Sequence, residues 1–454
     1  VLKHDTRHDP LTGLPNRVML AERSHTVFDA HAAQLEQLAV LAIDLDGFKA
    51  VNDRCGHDVG DALLVEVGHR LVSTANHWRV ELSKAGVDCK TLVARTGGDE
   101  FVVLLDGVRR MSDLLALANA IHDSIAAPIT LLGESMGIAA SIGVARGTAE
   151  YAEIGHLQRD ADLAMYEAKA AGPGRTVAFT TELGITARKR RVLEQELREA
   201  VLAHQFVPYY QPIVSMTGGN RIVGFEALAR WVKPDQSVIE PEGFIAAAEE
   251  TGLIVFIGDA ILREVCRALG RLRRVEDGAE APFISVNIAA QQFLQRNFVE
   301  QLGIVLAETC ADPAGLRLEV TESVAIIDPE RTAEVLTEIR AMGIHTSLDD
   351  FGTGYSSLSY LQVLPFDSLK IDRSFVTQLQ EPKCMSIVRT IMDLANRLEL
   401  EVVAEGIDNR AHADILAAMG CQLGQGYLFG RPVNEFQAFG QWFDRKRSAG
   451  ARAA

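Results

Sequence analysis

The strongest constraint in this sequence is an alternation. From residue 205 onward, apolar strand-like runs ("FVPYYQPIV", "RIVGFEALARW", "FISVNIAA", "LRLEVTES", "IHTSLDDFG", "SLKIDRSF", "LEVVAEGID" and "CQLGQGYLFG") follow one another, several separated by long amphipathic stretches such as 242–274 and 384–398. Many strand–helix units in about 250 residues point to a (β/α) barrel. Polar residues cluster where the runs end: Glu226, Asn287, Glu319 with Glu322, Asp349 with Asp350, Lys370, Glu405 and Gln425. In such barrels the C-terminal strand ends carry the chemistry.

The 454 residues are too many for one core, so two or three domains are expected. Residues 38–179 alternate in their own way. "LAVLAIDLD" reads as an apolar strand ending in acids and "DALLVEVGHRLV" as a helix. "TLVARTG" and "EFVVLLDG" form a hairpin, and "HLQRDADLAMYEAKAAG" is a helix with a glycine stop. This is an α/β domain with an antiparallel element. The charged, helix-forming stretch 181–204 then reads as a connector, which divides the chain into 1–180, 181–204 and 205–454.

The formal charge is -16, from 45 basic and 61 acidic residues, so general phosphate electrostatics give no reason to expect nucleic-acid binding. An anionic ligand would need local groups: metals, glycine-rich loops or a few Lys and Arg. The six scattered cysteines form no CxxC pair, which argues for a reducing compartment. With neither a membrane-length apolar run nor a signal peptide in evidence, the expected location is the cytoplasm, as a free protein or the cytosolic part of a longer sensor.

Two constellations carry chemistry. In the first, Asp44 and Asp46 close a strand, and period two puts both on one side of it. The hairpin tip "RTGGDEF" carries adjacent acids, Asp99 and Glu100, beside glycines. If the tip lies beside the strand end, carboxylates converge in a set suited to Mg²⁺, which takes oxygen ligands and keeps substrate phosphates. Taken alone, "GGDE" would more often be a solvated turn. With "DPLTGLPNR" (9–17) and "DLDGFKAVNDRCGHDVGDALL" (44–64) in order before it, the region resembles the GGDEF family of diguanylate cyclases over residues 5–179.

That resemblance implies a nucleotide-cyclase-like fold and condensation of two GTP into cyclic di-GMP. It makes Asp44 and Asp99 metal ligands, with the Leu45 carbonyl assisting, and puts Glu100 by the metal or the attacking hydroxyl. Asn52 and Asp61 would read guanine, and Lys49, Lys169 and Arg175 would contact phosphates. Two departures stand out. "DCKT" (88–91) replaces the RxxD product-inhibition site, and "AKAAGPGRTV" places Arg175 later than the family pattern does.

The second constellation is Glu226, Asn287, Glu319, Asp349, Asp350, Lys370 and Glu405. Such a set could support two-metal phosphodiester hydrolysis. Glu226, Asn287, Glu319 and Asp349 supply oxygen ligands for one ion, while Asp349 and Asp350 suit a second. Lys370 stabilises developing charge, and Glu405 orients water or serves as base. "FEALARW", "SVNIA", "LEVTES", "SLDDFGTGYSSLSYLQVLPFDSLKID", "VVAEGID" and "GQGYLFGRP" together resemble the EAL family of cyclic di-GMP phosphodiesterases over residues 185–445. The resemblance implies a modified TIM barrel and Mg²⁺- or Mn²⁺-dependent cleavage to linear pGpG. It places Gln211, Arg230 and Gln425 near the substrate and makes Glu322 the anchor of the loop 350–357. Asp408 stands where the family pattern has Glu.

The expected protein is therefore a tandem GGDEF–EAL enzyme of cyclic di-GMP turnover, pairing as a homodimer because each GGDEF site holds one GTP. Two alternatives stay open: a phosphodiesterase whose GGDEF domain only binds GTP and regulates, and a non-catalytic cyclic di-GMP receptor.

Overall fold

The computed structural model describes residues 7–31, 34–131, 134–217, 219–275, 281–322, 324, 328–352 and 364–453. The chain divides into two compact units, Val1–Arg190 and Arg191–Ala454. The division falls within the helix Thr181–Leu202.

The first unit is a three-layer α/β structure. Its strands are β1 (Leu38–Asp46), β2 (Lys90–Gly97), β3 (Glu100–Asp106), β4 (Ile129–Leu131), β5 (Glu134–Met136), β6 (Ala139–Arg146) and β7 (Thr176–Ala178). The main sheet runs β2-β3-β1-β6-β7, antiparallel except for β6–β7, and β4–β5 is a separate hairpin. Strand β1 is apolar without a break from Leu38 to Ile43 because it is central and covered on both faces. Period two sorts its side chains. Ala39, Leu41, Ile43 and Leu45 join the core under the helices His57–Lys84 and Met111–Ala126. Leu38, Val40 and Ala42 join the opposite core, with Leu20 and with Ile154, Leu157 and Ala161 of the helix Ile154–Ala170. That last helix packs directly onto β6. A Cβ at Gly143 would stand 2.1 Å from both the Ala161 carbonyl oxygen and the Met165 nitrogen. Close packing here carries the end of the helix, with Lys169, to the end of β1.

The second unit is a closed barrel of β8 (Phe206–Ser215), β9 (Ile222–Val232), β11 (Phe283–Asn287), β12 (Leu316–Thr321), β13 (His345–Phe351), β14 (Ser368–Ile371), β15 (Glu401–Ala404) and β16 (Leu423–Gln425). The two-residue β10 (Val238–Ile239) extends β9 at the side. Strands β9 and β11 to β16 are parallel, while β8 lies antiparallel to both β9 and β16 and closes the ring. This departs from a uniform (β/α) repeat. Only residues 216–221 join β8 to β9, too few for the crossover that parallel strands need, so the pair forms a hairpin.

The amphipathic stretch 242–274 is not one helix either. Gly252, at φ +71°, separates Ile245–Glu250 from Ile254–Val275. A left-handed residue cannot continue a right-handed helix.

Candidate functional site

At one rim of the barrel, side chains from separate strands converge on Lys370. Its Nζ lies 2.6 Å from Glu319 Oε2, 2.5 Å from Glu405 Oε1, 3.4 Å from Asp349 Oδ1 and 3.5 Å from Glu226 Oε1. Lys370 is only 1% exposed. Parallel pairing produces the convergence. Asn287 is in register with Glu319, and Thr321 with Asp349, while Glu405 directly follows the last residue of β15.

Amides complete the arrangement. Asn287 Nδ2 donates to Glu226 Oε1 at 2.7 Å, and Gln425 Nε2 donates to Glu226 Oε2 at 2.5 Å and to Gln211 Oε1 at 2.9 Å. Gln211 Nε2 donates in turn to the Gly430 carbonyl at 3.1 Å. The antiparallel β8 thus has a use at the site, because it sets Gln211 opposite Glu226.

Three buried acids, Glu226, Glu319 and Asp349, and the partly exposed Glu405 face one ammonium. Burial alone would raise the pKa of Glu226, but Lys370 and the two amides overcome it and hold this carboxylate below its ordinary range. Glu319 is pushed well above that range, first by burial and then by the neighbouring carboxylates, against the pull of Lys370. Glu405 is pushed up to about 8, again mainly by burial. Lys370 is buried too, yet the surrounding acids keep it firmly charged. Asp350 is raised by burial, by Asp349 and by Asp372. It sits at φ +56°, where the β13–β14 register slips between Leu348 and Phe351. The irregularity turns two sequential acids out of plain strand alternation.

Among the described residues no three His, Cys, Asp or Glu side chains form a ready metal cage, because the ammonium sits among the carboxylates. The donors nevertheless fit a hard divalent cation. All are oxygen ligands, and their buried negative charge exceeds what one lysine neutralises.

Beside this cluster lies a cleft of ≈ 350 Å³ whose walls include Gln211, Arg230, Asp349, Arg373, Glu405 and Asp408. Arg230 donates to the Ala229 carbonyl and lies over the Tyr209 ring. Asp408 accepts from Asn409 Nδ2 at 2.8 Å. Glu322 follows the last residue of β12, whereas residues 353–357 of the loop assigned to it lie outside the described residues.

In the first unit, Asp44 is in register with Glu100 across β1–β3, so the hairpin tip does lie beside the strand end. The tip turns through Gly97 (φ +154°) and Gly98 (φ +52°), conformations that favour glycine. Lys169 Nζ lies 2.6 Å from Asp44 Oδ1. Burial raises the Asp44 carboxyl, Lys169 opposes, and Asp99 adds to the rise.

Asp46, on the same side of β1, serves its own loop. It accepts from Ser141 Oγ at 2.7 Å and from the Gly174 N–H at 2.8 Å. The hydrogen bond to Gly174 fastens the loop that carries Arg175, whose side chain is exposed, as are Lys49 and Asp61. Asn52 turns its Oδ1 inward with no hydrogen-bond donor. It fits only because residue 60 is glycine, where a Cβ would stand 1.9 Å from that oxygen.

Residues 194–432 match the EAL domain family, just over half of the chain. The chain belongs to the EAL family. Ahead of its EAL domain, residues 6–175 match the diguanylate cyclase GGDEF domain. Among curated relatives, the bifunctional diguanylate cyclase/cyclic di-GMP phosphodiesterase MucR of Pseudomonas aeruginosa is 39% identical over 94% of this chain and 60% of its own length. The cyclic di-GMP phosphodiesterase NbdA of the same organism is 35% identical over 95% of this chain and 53% of its own. The chain thus spans little more than half the length of these relatives. Of solved structures, the PaMucR phosphodiesterase in complex with c-di-GMP is 40% identical, with TM-score 0.51, and covers 54% of this chain and 99% of its own. The cGMP-bound EAL enzyme Bd1971 is 28% identical, with TM-score 0.55, and covers 68% and 82%.

Several residues at the EAL and GGDEF sites escape a reading by motif. Arg95 donates to Asp9 Oδ1 at 2.8 Å and twice to the Gly98 carbonyl, which ties the GGDEF turn to the segment 9–17. Asp9 also accepts from the Thr12 N–H and Oγ1. In the EAL unit, Asp372 caps the short helix Arg373–Thr377 and adds negative charge near Asp350. Arg373 and Tyr427 line the cleft. A basic or aromatic residue just past a strand end was the available signal.

Of the described residues, no helix is long and apolar enough to cross a membrane.

Proposed function

We propose that the EAL unit hydrolyses cyclic di-GMP to linear pGpG. The observation that carries this reading is the set of buried Glu226, Glu319 and Asp349 with the partly exposed Glu405 around buried Lys370, opening beside a cleft that holds Gln211 and Arg230. Glu226, Asn287, Glu319 and Asp349 would hold one Mg²⁺ or Mn²⁺, and Asp349 with Asp350 a second. Bound there, such ions polarise a phosphodiester and acidify water.

The chain's own residues do the rest. Glu405, with its pKa near 8, can take a proton from water at its carboxylate as the P–O bond forms. The P–O3′ bond breaks, the 3′ oxygen takes up a proton, and the phosphate stays on the 5′ side. Lys370 Nζ fixes Glu405 and Glu319 in place, while Gln211, Arg230 and Gln425 orient the dinucleotide. Glu322 would anchor the loop 350–357.

The GGDEF unit, in this reading, binds GTP and joins two molecules into cyclic di-GMP. Asp44 and Asp99 would hold Mg²⁺ or Mn²⁺, aided by the Leu45 carbonyl, with Glu100 beside the attacking hydroxyl. The unpartnered Asn52 Oδ1 suits a guanine N–H, next to Asp61. Lys49, Lys169 and Arg175 would meet the phosphates. Condensation needs two such units face to face, hence a homodimer. If only GTP binding survives, the unit is a regulatory module, and if neither reaction runs, the chain is a receptor.

One experiment separates these readings. The purified chain is incubated with Mg²⁺ or Mn²⁺ and either cyclic di-GMP or GTP, and products are resolved by chromatography. pGpG from the first is expected. An inert protein with both metals would overturn the hydrolase.

A further inference from the structure

We propose that Arg373 binds the second, uncleaved phosphodiester of the cyclic dinucleotide. This rests on the hydrolase reading and adds a residue to it that the acidic set does not supply.

Arg373 opens the short helix that follows β14, three residues after Lys370, and it lines the cleft. Its stem has a made place. A Cβ at Gly406 would stand 2.3 Å from Arg373 Cγ and 2.8 Å from its Cβ. Gly406, at φ +66°, therefore leaves a slot in which the stem lies against the turn after Glu405. Asp349, Glu405 and Asp408 line the same cleft. Even so, the Arg373 guanidinium makes no hydrogen bond or ion pair among the described residues, while Glu405 is taken by Lys370 and Asp408 by Asn409.

Arg230, the cleft's other arginine, is already committed to the Ala229 carbonyl and the Tyr209 face, and it is buried. Arg373 is thus the cation left for a ligand. A cyclic dinucleotide brings two phosphodiesters. One goes to the Lys370 cluster for cleavage, and the other needs a counter-charge farther out. A guanidinium offers two parallel N–H groups to phosphate oxygens, which an ammonium cannot match. A merely structural arginine beside three acids would be expected to pair with one of them.

The test uses the whole chain with Mg²⁺ or Mn²⁺ and two substrates. Cyclic di-GMP has two phosphodiesters, and bis(p-nitrophenyl) phosphate has one. For Arg373→Ala, KM for cyclic di-GMP should rise about 10- to 100-fold, the size of one charge-assisted interaction, while kcat falls far less. Its preference for cyclic di-GMP over the single diester, as a ratio of kcat/KM, should drop by the same factor. Arg373→Lys should recover only part of the loss. Equilibrium binding of a hydrolysis-resistant phosphorothioate analogue should weaken in parallel. An unchanged KM, or an equal loss on both substrates, would overturn the assignment. Wild-type protein that leaves cyclic di-GMP intact would overturn the hydrolase reading instead, and analogue binding would still decide whether Arg373 holds the ligand.

Discussion

Lys370 Nζ lies 2.6 Å from Glu319 Oε2, with both side chains almost wholly out of water. Glu319 holds its proton far above the ordinary carboxyl range while Glu226 gives its proton up early. Removing the ammonium would strand buried negative charge. Lys370→Met is expected to cost on the order of 3–5 kcal/mol of folded stability at about pH 8. The cost should be smaller at about pH 5, where the acids take up protons instead. Chemical denaturation at the two pH values measures it, and an equal loss at both would speak against the charge argument.

Metal-free stability should fall with rising pH. Glu405 has a folded pKa of about 8 against an ordinary value of 4.5. Between those values the folded state binds more protons than the unfolded one, so stability is fullest below 4.5 and is lost as pH rises through about 8. Glu319 acts in the same direction. Glu226, shifted down, contributes above 4.5 and loses its share only at lower pH, outside this window. Mg²⁺ or Mn²⁺ should therefore raise the melting temperature more at about pH 8 than at about pH 6, because cations and protons compete for the same oxygens. Thermal denaturation with and without chelator checks this, and a metal effect that is flat with pH would refute it.

Glu226→Ala and Asp349→Ala remove oxygen donors from the buried set. Each should reduce pGpG formation on the order of 10²-fold or more while leaving the fold intact. Product chromatography alongside circular dichroism tells lost chemistry from lost structure. Near-normal turnover in either variant would remove that residue from the site.

In the GGDEF unit, Gly60→Ala should act through Asn52. The added methyl would stand 1.9 Å from Asn52 Oδ1 and must displace the amide. GTP affinity should fall about tenfold or more, as it should for Asn52→Ala, because a buried guanine donor is then left unpaired. Calorimetry with GTP reads the effect. Unchanged affinity in both variants would place guanine elsewhere.

Much of this protein is written in the local sequence. Period two predicts which face each residue of β1 serves. The glycines of "RTGGDEF" announce a turn that other residues adopt poorly, and acids at strand ends announce a rim that can hold cations. Such signals are legible because each depends on neighbours a few residues apart. Tertiary structure decided the rest. The β8–β9 hairpin turns β8 antiparallel, and only closure of the ring then sets it against β16. That closure brings Gln425 of β16 to Gln211 and Glu226, which the hairpin already sets opposite each other. Asp44 and Asp46 share a strand face, yet one meets Lys169 and the other fastens Ser141 and Gly174, because what lies above each was decided by packing. Lys370 is an ordinary lysine in an apolar run until four carboxylates from distant segments surround it. The chain's covalent order sets periodicity, but charge, burial and distance across a barrel depend on register between strands far apart in sequence. These decide which acid keeps its proton and which cation stays free for a ligand.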